Sequence, residues 1–362
     1  MRRIIQKVVL ISLPTLVVSL LVLEVGLRLF VPVSDVKPQN IFNDETGILI
    51  KEPNYEGTLI TPAFASRFHI NAQGWNAPQD YVAEKPAGTF RIAVIGDSYV
   101  EAYQADVDKN FGMIVEEFLG EAADTPVEVY MFGISGAPLS QYLHVMRHVA
   151  ETYAPDLYII NIVHNDFEES IVDLRSTPFF MQYQLVADGD IEEVSPVPNQ
   201  RSTAQRLFRL IAPSALARYL AYNLNLLDRF VAVANPTVVS FEALEVDRPL
   251  VETVTAYSLQ EYGAVAQRAG GRLLVVIDAD RRQLYGETVS SGIDYQIYNN
   301  IVEAVTNDLK IPLLDLTTPF TSDYEMNHIQ FESEKDYHWN EYGHNLVGKT
   351  IVNFLLDNQW LD

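Results

Sequence analysis

Arg91-Ile92-Ala93-Val94-Ile95-Gly96-Asp97-Ser98 is the stretch on which the fold turns. An apolar run with no polar alternation marks a strand buried on both faces, and Gly96 closes it. The pattern recurs. Residues 127–134 and 156–163 read as second and third strands, 272–277 as a fourth and 311–316 as a fifth. Helical periodicity falls between and after them, over 111–119, 139–153, 256–269, 295–309 and 340–356. Strands alternating with helices predict a parallel sheet covered on both faces, an α/β domain of three layers.

In an open parallel sheet, active sites lie outside the carboxyl ends of the strands. Asp97-Ser98 follows the first run, and Gly133-Ile134-Ser135-Gly136 closes the second. His164-Asn165-Asp166 follows the third, and Asp336-Tyr337-His338-Trp339-Asn340 lies beyond the fifth. A serine hydroxyl becomes a nucleophile when a neighbouring base takes its proton, and imidazole suits neutral pH. Ser98 is the candidate nucleophile and His338 the candidate base. Asp336 is the nearest carboxylate to orient that ring. The oxyanion of a tetrahedral intermediate needs fixed donors. The Ser98 and Gly136 backbone N–H groups and the Asn165 amide can supply three, each typically worth about 3 kcal/mol of barrier.

Other polar residues at the same edge read less sharply. Asp97 suits a turn, through side-chain bonds to backbone. His164 either satisfies a strand-end carbonyl or touches substrate, and Asp166 either orients Asn165 or touches substrate. His344 is a rival base, but it falls inside the closing helix. Asp278, Asp280, Arg281 and Arg282 after the fourth strand read as a solvated loop, since no further ligand cluster supports a metal site there.

These blocks resemble the SGNH hydrolase superfamily of GDSL-type esterases. Residues 93–98 stand for its serine block and 133–136 for its glycine block. Asn165-Asp166 stands for the asparagine block and residues 336–344 for the histidine block, so the likeness covers about 91–356. The resemblance implies a three-layer α/β/α sandwich with a flavodoxin-like sheet and acyl-ester chemistry. It implies Ser98 as nucleophile and donor, Gly136 and Asn165 as oxyanion donors, and His338 as base, with no metal or organic cofactor. Two positions depart from the family pattern. Tyr99 replaces the leucine, and Lys335 stands three residues before His338, where the family usually places Asp. Asp-x-His-Trp looks like acetyltransferase and acetylesterase relatives acting on polysaccharides, which keeps Asp336 as the acid. The lead-in Phe68-His69-Ile70-Asn71-Ala72-Gln73-Gly74-Trp75 looks like membrane-tethered bacterial members associated with surface polysaccharide.

Composition bounds the rest. The 362 residues are 48% hydrophobic and 20% charged, as expected of a chain that buries a core. Net charge is −23, which disfavours nucleic acid as a partner. The absence of cysteine excludes disulfides, thiolate metal sites and cysteine nucleophiles. At the start, Arg2, Arg3 and Lys7 flank an apolar run from Ile4 to Val33, broken by Glu24 and Arg28 four apart on one helical face. Twenty helical residues span about 30 Å, one hydrocarbon core. A single-pass anchor is expected, with a cytoplasmic N-terminus and an extracytoplasmic body. A cleaved secretory signal is the alternative, but no small-x-small site follows.

The expected organisation is therefore an anchor over 1–33, a stalk-like lead-in over 34–90 and a hydrolase domain over 91–362. Within the last, 168–250 reads as a helical insertion packed on the sheet. Its amphipathic stretch 204–233 leaves a lid or a membrane-resting surface as the other reading. The expected activity is a serine esterase removing acetyl or other acyl groups from an extracytoplasmic glycan or lipid. An O-acetyltransferase using the same acyl-serine is the enzymatic alternative. A catalytically silent, membrane-anchored glycan-binding or assembly protein is the other.

Overall fold

The computed structural model describes residues 2–186, 190–198, 203–226, 247–286, 295–333 and 335–361, with side chains in 2–9 and 203–206 left aside. The chain divides into two compact units. The smaller comprises 1–37, 57–65 and 200–239 and holds helix α1 (Arg2–Phe30). The larger comprises 38–56, 66–199 and 240–362.

The larger unit is built on five parallel strands: β1 (Phe90–Gly96), β2 (Val127–Gly133), β3 (Leu157–Ile162), β4 (Arg272–Ile277) and β5 (Leu313–Asp315). Their order is β2-β1-β3-β4-β5, the flavodoxin-like winding. Each core strand faces two ways, because successive side chains point to opposite sides. Ile92 and Val94 of β1 join the core formed with α2 (Phe111–Ala122) and α6 (Glu341–Asp357). Ala93 and Ile95 join the core formed with α3 (Leu139–Tyr153), α4 (Arg248–Ala269) and α5 (Gln296–Leu309). The expected three layers are present. Strand ends agree with the sequence reading to within two residues; α4 begins eight residues before its expected start, at Arg248.

The winding reverses direction at β1 and β3, opening a crevice beyond their carboxyl ends. A glycine brings the chain after β1 close to this edge. A Cβ on Gly133, at the end of β2, would sit 2.0 Å from the backbone nitrogen of Glu101, so the short helix Ser98–Glu101 packs directly on the strand. The lead-in belongs to the same packing. Ile48, Leu49, Trp75, Ala77 and Tyr81 lie in the α3-side core. Tyr81 stacks on Tyr130 at 4.1 Å, and its hydroxyl bonds both Met131 O (3.0 Å) and Met131 N (2.7 Å) on edge strand β2. That occupies part of an otherwise open edge.

The stretch 168–250 departs from the expectation of one helical insertion on the sheet. Strands Gln182–Leu185 and Ile191–Val194 pair as a hairpin in the larger unit, with Tyr183 buried. Residues 203–226 fall in the smaller unit instead, as helices Thr203–Ile211 and Ala215–Arg218 and a π-turn over Tyr219–Asn223. Their partner is α1. The Glu24 carboxylate, in salt bridge with Arg28 at 2.7 Å, accepts the N–H groups of Ala215 and Leu216 (both 2.9 Å) and the Ser214 hydroxyl (2.7 Å). Arg28 also donates to Pro213 O at 2.7 Å. A periodic sequence shows that a helix has an apolar face, not what that face meets. The remainder of the amphipathic stretch, 227–233, lies outside the described residues. Within α1, Leu10–Phe30 is long and apolar enough to cross a membrane.

Candidate active site

Asp97 ends β1 and caps the short helix, its Oδ1 accepting the Tyr99 N–H at 2.9 Å. This is the turn role expected of it, and it fixes Ser98 at the first helical position. The Ser98 hydroxyl lies 2.7 Å from His338 Nε2 and 3.1 Å from Asp97 Oδ2. His338 stands on β6 (Asp336–Trp339), which pairs antiparallel with Glu332–Ser333. Strand side chains alternate, so Asp336 and His338 share one face of β6. His338 Nδ1 is 2.5 Å from Asp336 Oδ1, which also accepts the His338 N–H at 3.0 Å.

Burial pushes the Asp336 carboxyl up, but the His338 ring and backbone and the Gln104 amide outweigh it and hold it below the usual range. Gln104 donates to Asp336 Oδ2 at 3.1 Å. An ionised Asp336 accepts a hydrogen bond from Nδ1–H, which keeps the proton on that nitrogen and leaves Nε2 free to accept from Ser98. The three groups thus form a continuous line able to draw a proton from the hydroxyl.

The expected oxyanion donors stand at the ends of the neighbouring strands. Gly136 has φ +75°, and open space surrounds the place a Cβ would take, so backbone conformation is what asks for glycine there. Beside it, the Ser135 hydroxyl donates to Glu101, which is buried in ion pair with Lys51 at 2.8 Å. The Asn165 amide donates to Glu169 Oε2 at 3.4 Å, which leaves its second hydrogen for another acceptor. Asp166 does not orient Asn165. It is buried, and its Oδ2 accepts the Val163 N–H at 2.8 Å. His164 bonds the Asn299 side chain at 2.9 Å and stacks on Tyr295, and burial pushes its imidazole down.

One expectation fails here. Asp278 and Arg281 do not form a solvated loop; their side chains are 3% and 7% exposed. Arg281 Nη2 reaches Asp278 Oδ2 (2.9 Å), the Tyr99 hydroxyl (2.7 Å) and Tyr337 O (2.7 Å), while Nη1 meets Glu332 Oε2 at 2.5 Å. Asp278 Oδ1 accepts the Trp339 indole N–H at 3.1 Å. Tyr99, which replaces the family's leucine, donates its own hydroxyl to Tyr337 O at 2.8 Å. The carboxyl end of β4 therefore holds β6 on both sides of His338. The Asp278 carboxylate is thus committed to Arg281 and Trp339.

His344 is buried in α6, away from the line. Its Nδ1 accepts the Phe111 N–H at 3.4 Å, and its ring stacks on Phe111. Burial, with His338 nearby, pushes its pKa down to about 3. The unfolded chain binds a proton near 6.5 that the fold refuses until about 3, so acid favours unfolding across that window. We expect the wild type to lose stability on acidification from pH 6 to 4 faster than His344→Gln, the slopes differing by up to about 1.4 kcal/mol per pH unit. Equilibrium urea unfolding across this range measures it; parallel slopes count against a neutral buried imidazole.

A family profile described as GDSL-like lipase/acylhydrolase matches residues 92–351. Solved structures similar to the chain include a lipase/acylhydrolase from Enterococcus faecalis, at 13% identity and TM-score 0.40, over 74% of this chain and 96% of that one. The esterase EstA from a Pseudoalteromonas species is similar at 12% identity and TM-score 0.39, over 75% and 98%. The acetyl xylan esterase AlAXEase is similar at 14% identity and TM-score 0.42, over 74% and 100%. No curated protein sequence matches the chain.

Proposed function

The chain belongs to the GDSL-like lipase/acylhydrolase family and is an ester-bond hydrolase, and on that premise we propose that Ser98 attacks the ester through an acyl-serine intermediate. The carrying observation is the Ser98–His338–Asp336 line, at 2.7 and 2.5 Å. Ser98 Oγ bonds to the acyl carbon as its proton passes to His338 Nε2. The Ser98 and Gly136 N–H groups and the Asn165 amide receive the oxyanion. Collapse breaks the bond to the alcohol, which leaves with the proton from Nε2. Water then attacks the acyl-serine, giving its proton to the same nitrogen, and the acid departs as the Oγ–H is restored. Asp336 holds the ring and stabilises the imidazolium.

The substrate we propose is an acetyl or other short acyl ester on an extracytoplasmic glycan or lipid. The Asp-x-His-Trp pattern at 336–339 supports the acyl class. The apolar helix Leu10–Phe30, preceded by Arg2, Arg3 and Lys7, supports anchorage with the body outside.

A fluorophosphonate probe tests the nucleophile directly, because it phosphonylates only a serine whose proton is being withdrawn. Wild-type protein is expected to label, and Ser98→Ala and His338→Ala are not. Undiminished labelling of Ser98→Ala places the reactive serine elsewhere, and no labelling of the wild type favours a silent, non-catalytic protein.

A further inference from the structure

We infer that residues 207–224 form a second membrane contact, an amphipathic element lying in the leaflet that receives the C-terminal end of α1. This rests on the reading of α1 as a membrane span. Leu207, Leu210 and Ile211 occupy one face of their helix at i, i+3 and i+4, with 60%, 77% and 56% of their surface exposed. Leu220 and Leu224 on the following turn are exposed as well. In the same unit, Leu20 and Leu21 of α1 expose the apolar surface that a bilayer would cover.

Glu24 sets the depth. It lies six residues before Phe30, about 9 Å along the helix axis. A carboxylate inside a span is costly unless paired and hydrogen-bonded. This one takes Arg28, the Ser214 hydroxyl and the N–H groups of Ala215 and Leu216. Three of those four donors belong to the 214–216 turn, so the turn travels with Glu24 to its depth. Interfacial helices sink about 5–10 Å into the headgroup–acyl boundary, which matches. Phe208 packs edge-on against Tyr222, so the two halves of the element hold together and leave the leucines facing outward. The occupant of that face is lipid.

The chain has no cysteine, so single cysteines introduced one at a time carry a nitroxide without further engineering. The full chain is reconstituted in phosphatidylcholine–phosphatidylglycerol vesicles, labelled at Leu207→Cys or Leu210→Cys. Val18→Cys within α1 and Glu121→Cys on the exposed surface of the larger unit serve as references. Collision with oxygen, which concentrates in lipid, is compared with collision with an aqueous nickel chelate. We expect an oxygen-to-nickel ratio at Leu207 and Leu210 several-fold above that at Glu121, with Val18 higher still. A ratio at Leu207 and Leu210 equal to that at Glu121, with Val18 still in lipid, overturns the inference while leaving the anchor standing. Shielding of both leucines from both reagents overturns it in favour of a protein partner, such as a second copy. Free access of nickel to Val18 removes the anchor reading and this inference together.

Discussion

Ser98→Ala is expected to lower kcat for a short-chain aryl ester by on the order of 10⁴–10⁶-fold. The Ser98 side chain contributes only its hydroxyl, bonded to His338 and Asp97, so thermal unfolding should stay close to wild type. His338→Ala should lose a comparable factor. On the proposed mechanism nucleophile and base act as a unit, so the double variant should lose little more than either single one. His344→Gln should retain turnover, since that ring faces Phe111 and not Ser98. Steady-state kinetics with p-nitrophenyl acetate measures all four, and Ser98→Ala at near-wild-type turnover ends the acyl-serine mechanism.

The second large effect concerns stability. Arg281→Met removes the guanidinium that pairs with both Asp278 and Glu332, and with it one donor to the strand bearing His338. Breaking a buried pair by deleting one partner typically costs about 3–5 kcal/mol, because the remaining charge stays desolvated. We expect a loss of that size in equilibrium unfolding. Adding Asp278→Asn should recover part of it, since the orphaned charge is then gone. Activity should fall as well, because Tyr337 O loses a donor beside His338. A loss under about 1 kcal/mol would mean that the guanidinium holds nothing together.

The sheet was legible because burial on both faces leaves an unmistakable trace: apolar runs such as 92–95 and 157–160, separated by helical stretches. The positions of Ser98 and Asn165 were legible for a related reason, as polar clusters at the ends of such runs stand out, and His338 was legible in the Asp-x-His-Trp block. What supports them was not. Arg281 meets Tyr99 across 182 residues and Tyr337 across 56, and nothing in the string Asp278-Ala279-Asp280-Arg281-Arg282 tells a buried network from a wetted loop. Lys51 and Glu101 form their buried pair across a similar silence. Gln104 and Glu169 were missed because a lone amide or carboxylate carries no periodic signal. For 203–226, amphipathicity was visible, but its partner depended on Glu24, a residue whose pairing with Arg28 appeared complete in itself.

Asp336 and His338 ride one face of a single four-residue strand, and this decides how the enzyme can fail. An acid and a base on separate elements can drift apart. Here any displacement of β6 carries the two together, so the ring keeps its carboxylate and only its reach to Ser98 changes. Damage to the scaffold, by mutation or heat, should therefore produce a protein that still shows the strongly hydrogen-bonded imidazole proton in its NMR spectrum yet turns nothing over. Such a spectrum would report an intact acid–base pair in an inactive enzyme, and would be a poor witness to its competence.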